Sequence, residues 1–395
     1  YNGKGIFPTV PESPYTEDGE EVEWPEGRYS TNLYTDKLIS YIDRYVADDR
    51  PFFAYAAYTS PHWPLQVDPK YWKKYEEQYR DGYEALRLRR FENQKKLGLI
   101  PEEAELPPLH PNVKPWDSLS EEQQKREVRE MALYAGMVEN LDHNIGRLLR
   151  FLKDKGEYDN TLIVFISDNG AAAEDFYNHE YFGPFLREHY SDDYEEMGES
   201  DSFISYGPEW AEAGASPFRY FKGYTTEGGI NTPMVIAGPG VTESGMVSHA
   251  FTTLMDLAPT FYELAGITYP DRFNGRKVYP LRGRSLMSLL SGETERVHPE
   301  DYVFALEHRG YVQVRRGDWK LVNIDHPFSE QNFRLYNLAR DLAEQVDLKE
   351  AHPRIYRELL EEWRRYRDEV KVRIPPPSRG TGLQHESNQI DDDQP

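Results

Sequence analysis

Hydrophobic residues recur at helical spacing near the beginning of the chain and then form a continuous run. Leu38, Ile42 and Tyr45 are spaced so that they share one face of a helix over residues 29–46. Residues 51–58 follow with almost no polar position, and this density is typical of a strand that is buried on both faces. A helix followed by a buried strand predicts an α/β fold.

The longest apolar stripe predicts a single long helix in the middle of the chain. Ser120 and Gln123 form a capping box at its start, and Gly156 is a typical signal for its end. Six apolar residues form the stripe: Tyr134, Val138, Leu141, Ile145, Leu148 and Leu152. The apolar run 161–166 follows after a short connection, which predicts a buried strand in the helix–loop–strand unit of a wound sheet.

Three segments lack a clear period. Residues 1–28 are rich in Pro, Gly and Glu and predict a surface loop. Residues 64–117 contain many Pro and charged residues with only short helical patches, so we expect a long excursion that shapes the rim of a cleft. Residues 175–212 are acidic and aromatic and predict an insertion near the cleft, whose acidic run 191–196 is typical of a solvated face rather than of a second metal site.

The pattern changes in the last third of the chain. Residues 232–237 predict another short buried strand, and residues 254–266 predict a helix. The elements predicted beyond them are short alternating strands at 302–306, 311–316, 319–324 and 333–336, and then a helix at 353–369. We therefore expect a catalytic domain over residues 1–295, a four-stranded antiparallel sheet closed by a helix over residues 296–371, and a disordered tail over residues 372–395.

Composition limits the classes of function. The 46 Lys and Arg residues stand against 69 Asp and Glu residues, and the net charge of -23 opposes binding to nucleic acid or to an anionic membrane. The sequence contains no Cys, which excludes disulfides, thiolate metal sites and a Cys nucleophile among these residues. It also lacks a run of about 18 apolar residues of the kind that spans a bilayer. An anionic substrate would therefore need a local group of cations.

Asp168 and Asn169 come directly after the predicted strand 161–166, and open α/β sheets place their chemistry at such strand ends. Their oxygen atoms suit a hard divalent cation such as Ca²⁺ or Mg²⁺, but two side chains are too few for six to eight ligand positions. The same Asp-Asn-Gly sequence is also a common turn, so a structural role stays open at this point.

Two further residues add chemistry to this pair. His62 lies between Pro61 and Trp63, which predicts a rigid loop after the strand 51–58 and leaves a structural packing role open. Lys222 lies among aromatic residues that would cover its stem and present its ammonium group to an anion, although an isolated Lys is typically a surface residue. A hard cation, an ammonium and an imidazole together suit the cleavage of a phosphate or sulfate ester.

The motifs around these residues follow one another in a distinctive order. They are Ser60-Pro61-His62, Ser167-Asp168-Asn169-Gly170, Lys222, Glu227-Gly228-Gly229-Ile230, Asp256-Leu257-Ala258-Pro259-Thr260, Gly317-Asp318-Trp319-Lys320-Leu321 and Leu335-Tyr336-Asn337-Leu338. In this order and at this spacing, the chain resembles the sulfatases of the alkaline phosphatase superfamily, and among them the bacterial arylsulfatases. The resemblance covers residues 29–370.

The resemblance implies an alkaline-phosphatase-like mixed sheet sandwiched by helices, with a smaller carboxy-terminal α+β subdomain. It implies a sulfuric ester hydrolase that acts on an aryl sulfate or a sulfated carbohydrate through a formylglycine nucleophile. Asp168 and Asn169 match ligands of calcium, which the resemblance favours over magnesium. His62 matches the residue that contacts the sulfate and assists the leaving group, and Lys222 matches its cationic partner.

Three amino-terminal elements of the family have no counterpart in the sequence. They are a pair of Asp on the first strand, a Cys/Ser-x-Pro-Ser-Arg motif whose first residue becomes formylglycine, and a Lys-x-His element. Pro377-Ser378-Arg379 does not replace the second element, because Pro375 occupies the nucleophile position and the segment lies at the opposite end of the chain. We therefore expect an amino-terminally truncated catalytic domain that binds calcium poorly and is inactive by itself.

Alternative functions stay open at this point. A phosphonate monoester or phosphodiester hydrolase of the same superfamily shares the sheet and the metal site, but such enzymes tend to have His at the position of Asn169 and a different partner from Lys222. A non-catalytic carbohydrate-binding relative would keep the pocket without the nucleophile, and a structural α/β protein would use the motifs as turns. The natural substrate, the oligomeric state and the compartment (periplasmic or secreted, or cytoplasmic) also stay open.

Overall fold

A computed structural model of the protein describes residues 4–7, 10–12, 15–46, 50–110 and 113–374. The tail that we expect to be disordered lies outside the described residues from residue 375 onwards, and so does the Pro377-Ser378-Arg379 segment with Pro375. In the part of the chain that the structure describes, no helix is long and apolar enough to cross a membrane.

The described residues form helices and short antiparallel strands. The helices are α1 (Ser30–Val46), α2 (Pro69–Trp72), α3 (Glu76–Tyr79), α4 (Gly82–Lys96), α5 (Glu121–Asp154), α6 (Gly183–His189), α7 (Gly207–Ala215), α8 (Glu227–Ile230), α9 (Leu257–Leu264), α10 (Met287–Leu290) and α11 (Pro353–Val370). The strands are β1 (Lys4–Phe7), β2 (Val10–Glu12), β3 (Tyr15–Glu17), β4 (Glu20–Val22), β5 (Ile163–Ile166), β6 (Met234–Ala237), β7 (Arg272–Phe273), β8 (Arg276–Lys277), β9 (Val303–His308), β10 (Tyr311–Arg316), β11 (Trp319–Asn323) and β12 (Arg334–Asn337). Consecutive strands from β1 to β8 pair two by two, and the last four form one sheet in the order β12-β11-β10-β9.

The prediction of a surface loop over residues 1–28 is wrong, because strands β1 to β4 form two hairpins there. In the second hairpin Glu17 pairs with Glu20, so Asp18 and Gly19 form a two-residue turn with positive φ angles of 54° and 90°. Asp-Gly is a strong signal for this kind of hairpin turn, since both positions need left-handed backbone angles. The surrounding Pro and Glu residues obscured that signal.

The segment 51–58 is not a strand, which corrects the prediction of a buried strand there. It has no regular secondary structure, and no strand pairs with it among the described residues. Phe53 is 76% exposed and Tyr55 is 79% exposed. An apolar run becomes a strand only where a neighbouring backbone accepts and donates its hydrogen bonds, and the described residues supply no such neighbour.

Strands β5 and β6 confirm the predicted strands at 161–166 and 232–237, although both are shorter. They pair antiparallel, with Ile163 opposite Ala237 and Phe165 opposite Val235. The predicted burial is wrong for this last pair, because both side chains are exposed. The pair faces a large open cavity that the segment 51–58 also lines.

Helix α5 confirms the long helix predicted after Ser120. The Ser120 hydroxyl accepts a hydrogen bond from the Gln123 amide at 3.2 Å, and the Gln123 side chain accepts one from the Ser120 amide at 2.9 Å, which completes the capping box. Met131, Leu133 and Met137 pack into the main core. All six residues of the predicted stripe line the open cavity, where Val138 is exposed while Leu141 and Leu152 are buried.

The excursion 64–117 is more helical than predicted, because it contains the 15-residue helix α4. Tyr83, Leu86 and Phe91 are buried on one face of this helix. Charged residues occupy most of the remaining positions, and they hid the period in the sequence. Helices α2 and α3 pack with α4 against α5 and form one wall of the main core.

The carboxy-terminal sheet and its closing helix are confirmed with the predicted strand order along the chain. One face of the sheet presents Val312, Val314 and Leu321 to α11, whose Trp363 is fully buried between them. Each such side chain contributes roughly 1.5–3 kcal/mol by its burial. The opposite face contributes to the main core through four residues: Tyr311, Val322, Ile324 and Tyr336. The division of the chain at residue 295 stays a prediction.

Candidate active site

The ring of His62 is held by its own loop. The His62 amide donates to the carbonyl oxygen of Thr59 at 3.0 Å, which closes a tight turn after the segment 51–58. The ring stacks at a tilt against Trp63, with centroids 4.2 Å apart, and its Nδ1 lies 2.9 Å from the Trp63 carbonyl oxygen. Because a carbonyl oxygen only accepts hydrogen bonds, Nδ1 carries the proton and Nε2 is left as the acceptor.

Lys222 meets this acceptor from a distant part of the chain. Its Nζ lies 2.9 Å from Nε2 of His62 and donates a hydrogen bond to it. The same ammonium group lies 3.4 Å from Oε1 of Glu174, whose Oε2 accepts a hydrogen bond from the Trp63 indole at 3.4 Å. Burial lowers the pKa of His62, and the Lys222 charge adds to this shift, so the ring is neutral near pH 7.

Asp168 and Asn169 follow β5 in a loop that is joined to the Lys222 loop by backbone hydrogen bonds. The Gly170 amide donates to the Gly229 carbonyl oxygen at 3.0 Å, and the Lys222 amide donates to the Ala171 carbonyl oxygen at 3.0 Å. Asp168 is exposed to the cavity, and the Asn169 amide nitrogen donates to the Gly170 carbonyl oxygen at 2.9 Å. The amide oxygen of Asn169 is thereby the atom that can face a cation.

Three glycines allow close backbone contacts in and between the two loops. A Cβ atom on Gly170 would lie 2.0 Å from the Gly228 carbonyl oxygen, and one on Gly228 would lie 2.0 Å from the Tyr220 carbonyl oxygen. A Cβ atom on Gly229 would lie 2.2 Å from the carbonyl oxygen of Tyr224. Each contact is with backbone, which has little freedom to move away. Gly170 is therefore required by the contact between the two loops, and Gly228 and Gly229 are required by the close packing of the Lys222 loop on itself.

The structure brings all four predicted site residues, His62, Lys222, Asp168 and Asn169, to one open cavity of about 4330 Å³. The oxygen atoms of Asp168 and Asn169 fit a hard cation in their chemistry. They do not fit it in number, because no group of three or more His, Cys, Asp or Glu residues able to hold a metal ion occurs in the described ranges. Among the described residues, the pair could therefore supply only part of the ligands that a hard cation needs.

Glu174 is a site residue that the sequence did not indicate. It follows Asp168 in the same loop, and it is the carboxylate that contacts Lys222. A single Glu in an acidic and aromatic segment has no pattern that separates it from a solvated residue. Only the folding of its loop against Trp63 identifies it.

Comparison with known proteins gives a consistent family. The sulfatase family model matches residues 5–267, and a model described as the carboxy-terminal part of N-sulphoglucosamine sulphohydrolase matches residues 218–369. An uncharacterised sulfatase of Schizosaccharomyces pombe is 37% identical over 377 residues, which cover 93% of this chain and 68% of that protein. An arylsulfatase of Klebsiella aerogenes is 37% identical over 276 residues, which cover 70% of this chain and 59% of that protein.

Solved structures share the fold. Ps i-CgsB in complex with k-i-k-neocarrahexaose has a TM-score of 0.58 at 22% identity, and the match covers 93% of this chain and 60% of that chain. A protein solved in complex with its substrate D-glucosamine-2-N,6-O-disulfate has a TM-score of 0.54 at 19% identity, over 93% of this chain and 76% of that chain. These similarities confirm the predicted α/β fold of the alkaline-phosphatase-like type. The chain thus spans about 60% of the length of several of the proteins that it matches.

Proposed function

The chain belongs to the sulfatase family, and from that membership we propose that the protein is a sulfuric ester hydrolase with His62, Lys222, Asp168 and Asn169 in its active site. The observation that supports these residues best is the 2.9 Å contact between Lys222 Nζ and His62 Nε2, which joins groups 160 residues apart in the sequence. The order of the motifs supports all four residues, and the backbone hydrogen bonds between the Asp168 and Lys222 loops are compatible with a shared site.

In the proposed reaction Lys222 binds the sulfate group. A chain with a net charge of -23 repels anions at long range, so a local ammonium group is needed to hold one. Lys222 is only about one quarter exposed, so its charge is less screened by water than that of a surface lysine. A sulfate oxygen would compete with Glu174 for this ammonium group.

His62 and Lys222 together supply the proton for the leaving alcohol. They share one proton between Nζ and Nε2, and the lowered pKa of His62 keeps that proton on Lys222 in the resting site. As the sulfur–oxygen bond breaks, the ester oxygen gains negative charge and takes this proton, which passes from Lys222 Nζ through Nε2 of His62 and leaves Lys222 neutral. The hydrogen bond from Nδ1 to the Trp63 carbonyl oxygen holds the ring in position throughout.

Asp168 and Asn169 would hold the calcium ion of the proposed site. A bound hard cation supplies charge that stabilises the sulfate oxygens in the transition state. The proposal also needs a formylglycine nucleophile, which the 395 residues of this chain do not include, since the sequence has no Cys and no suitably placed Ser-x-Pro-Ser-Arg element. We therefore expect these residues by themselves to bind calcium weakly and to release no sulfate.

The proposed substrate is a sulfate ester of an aryl alcohol or of a carbohydrate. Support comes from the arylsulfatase of Klebsiella aerogenes and from the structure solved with a disulfated glucosamine as substrate. We propose neither nucleic acid nor a membrane as a partner, because the net charge opposes both.

The test uses the protein encoded by its complete reading frame, with an aryl sulfate and calcium. Lys222→Met and His62→Gln should each lower kcat/KM by about 100-fold or more, since each removes a participant in proton transfer or anion binding. Lys125→Met, which changes an exposed lysine of α5, is the matched control and should keep full activity. Unchanged rates in the first two variants would contradict the site assignment. Faster cleavage of a phosphonate monoester than of the sulfate would favour the alternative hydrolase.

A further inference from the structure

Three charged side chains form a buried ion cluster behind the candidate active site. Lys320 and Glu344 have no exposed side-chain surface, and Glu227 is almost fully buried. Lys320 Nζ lies 2.6 Å from Oε1 of Glu227 and 3.0 Å from Oε1 of Glu344. The backbone amide of Glu227 donates to Oε2 of Glu344 at 2.8 Å. Each member of the cluster therefore contacts the other two.

The cluster joins distant parts of the chain. Lys320 lies on β11 of the carboxy-terminal sheet, and Glu344 lies between β12 and α11. Glu227 is the first residue of α8 and follows Lys222 by five residues. The Asn231 side chain also donates to Oε2 of Glu227 at 3.2 Å, so both carboxylate oxygens of Glu227 have partners. The carboxy-terminal sheet is thereby connected to the loop that contains Lys222.

Fixing Glu227 also fixes the residues that follow it. The Gly228 amide donates to the Arg219 carbonyl oxygen at 3.0 Å, which closes the Lys222 loop on itself. Gly229 accepts the hydrogen bond from Gly170, so the Asp168 loop rests on the same short helix. A shift of Glu227 would therefore move the backbone on which the candidate catalytic and calcium-binding residues are placed.

Burial of three charged side chains is an inefficient way to stabilise the fold, because the charges lose their hydration. Burial disfavours the charge on Glu227, yet Lys320 and Arg315 hold the pKa of its carboxyl below the ordinary value. Burial raises the pKa of Glu344, so this carboxyl retains its proton more readily. The loss of hydration of a buried ion pair commonly cancels the attraction between its two charges. Well-packed apolar residues in the same place would stabilise the fold equally. The geometry that the cluster imposes is then its main effect.

We propose that Lys320 and Glu344 are positioning residues, which act through Glu227 to hold Lys222 against His62. The proposal rests on the proposed function for the meaning of that contact, but its test does not need catalytic activity. The carboxy-terminal sheet is then part of the machinery that shapes the active site, although none of its residues in the cluster touches the substrate.

The test measures the pKa of His62 by NMR titration of the full chain, with the signal assigned from its loss in His62→Gln. Lys222→Met removes the neighbouring cation directly and should raise the pKa of His62, which sets the full size of the shift. Lys320→Met with Glu227→Gln removes the ion pair between these two side chains, and it should raise the pKa of His62 by at least half of that shift. Arg316→Met on β10, which removes a surface ion pair with Glu358, is the control and should leave the pKa unchanged.

Thermal unfolding of each variant reports whether the fold persists. A folded double variant with the wild-type pKa of His62 would overturn the proposal, even if its melting temperature were lowered. If the double variant does not fold, Glu344→Ala, which removes the acceptor of the Glu227 amide, is judged by the same criterion. A shift in Lys222→Met without loss of activity in the complete protein would contradict the proposed function alone.

Discussion

Glu127 gives the protein a pH-dependent stability that can be calculated. Glu127 and Glu130 of α5 line a cavity of about 280 Å³ together with Glu209 of α7. Burial, and after it the charge of Glu209, raises the pKa of Glu127 from 4.5 to about 7. Burial likewise raises the pKa of Glu130 above its ordinary value. Replacing Glu127 by Gln keeps the shape of the side chain and removes its titration.

The direction of the pH dependence follows from the number of protons that the native and the unfolded state bind. Between pH 4.5 and about 7 the native Glu127 retains a proton that the unfolded chain has lost, so the native state binds more protons. The free energy of unfolding therefore falls as the pH rises. The contribution is fully present below pH 4.5 and is lost as the pH rises through about 7. Between pH 5 and pH 8 the titration of this single carboxyl lowers the free energy of unfolding by about 2.5 kcal/mol.

Urea denaturation of the 395-residue chain between pH 5 and pH 8, followed by tryptophan fluorescence, measures this loss. Wild type should lose about 2.5 kcal/mol more than Glu127→Gln over that range, and the variant should be the more stable protein at pH 8. Glu92→Gln, at an exposed position of α4, is the control and should keep the wild-type slope. An equal slope in wild type and Glu127→Gln would refute the assignment of the raised pKa to this residue.

Three further predictions concern the site and the carboxy-terminal sheet. Gly228→Ala should lower the free energy of unfolding in urea by about 1–3 kcal/mol and weaken sulfate binding, because its Cβ would lie 2.0 Å from a backbone oxygen. Gly146→Ala in α5 is the control and should be tolerated. Glu174→Gln should bind sulfate about fivefold more tightly by calorimetry, since the competing carboxylate 3.4 Å from Lys222 loses its charge; weaker binding would contradict this. Trp363→Ala should destabilise the protein by about 3–5 kcal/mol, and a loss under 1 kcal/mol would contradict the burial of this side chain.

The carboxy-terminal sheet could be predicted because its information is local. Val312 and Val314 alternate with Tyr311 and Gln313, so the side chains of β10 point to opposite faces. Short turns join β9 to β10 and β10 to β11, so each strand pairs with the next one along the chain. Such a sheet needs no knowledge of distant partners, and its strand bounds agree with the prediction to within two residues.

The segment 51–58 could not be predicted in the same way. Its composition indicates burial, but burial of a strand depends on a neighbour that the sequence pattern does not identify. The exposed pair Phe165 and Val235 shows the same limit, because a central apolar strand is buried only when other elements cover both of its faces. The composition of a segment indicates whether burial would stabilise it, whereas the neighbouring elements determine whether it is buried.

The sequence indicated the four candidate site residues but not the contacts that they make, and their assignment to an active site stays a prediction. The order of the motifs indicated His62, Lys222, Asp168 and Asn169, and the structure brings them to one cavity. The order of the motifs did not indicate Glu174. It also did not indicate that the Glu-Gly-Gly motif begins with a buried carboxylate that contacts Lys320. Contacts between single charged residues far apart in the sequence leave no periodic pattern, so only the folded chain reveals them.

The tautomer of His62 and the pKa of His62 respond differently to substitutions around the ring. The tautomer of His62 is set by the Trp63 carbonyl oxygen, which belongs to the backbone and is kept by every side-chain substitution at that position. The pKa of His62 is lowered by burial, raised by the hydrogen bond to the same Trp63 carbonyl oxygen and lowered by the Lys222 charge, and substitutions can change the first and the last of these. A variant that disturbs the Lys222 loop should therefore change when His62 is protonated and leave unchanged which nitrogen faces the substrate. In the proposed reaction Nε2 would then deliver the proton in any folded variant that keeps His62, and the surrounding charges would adjust the fraction of protonated imidazole.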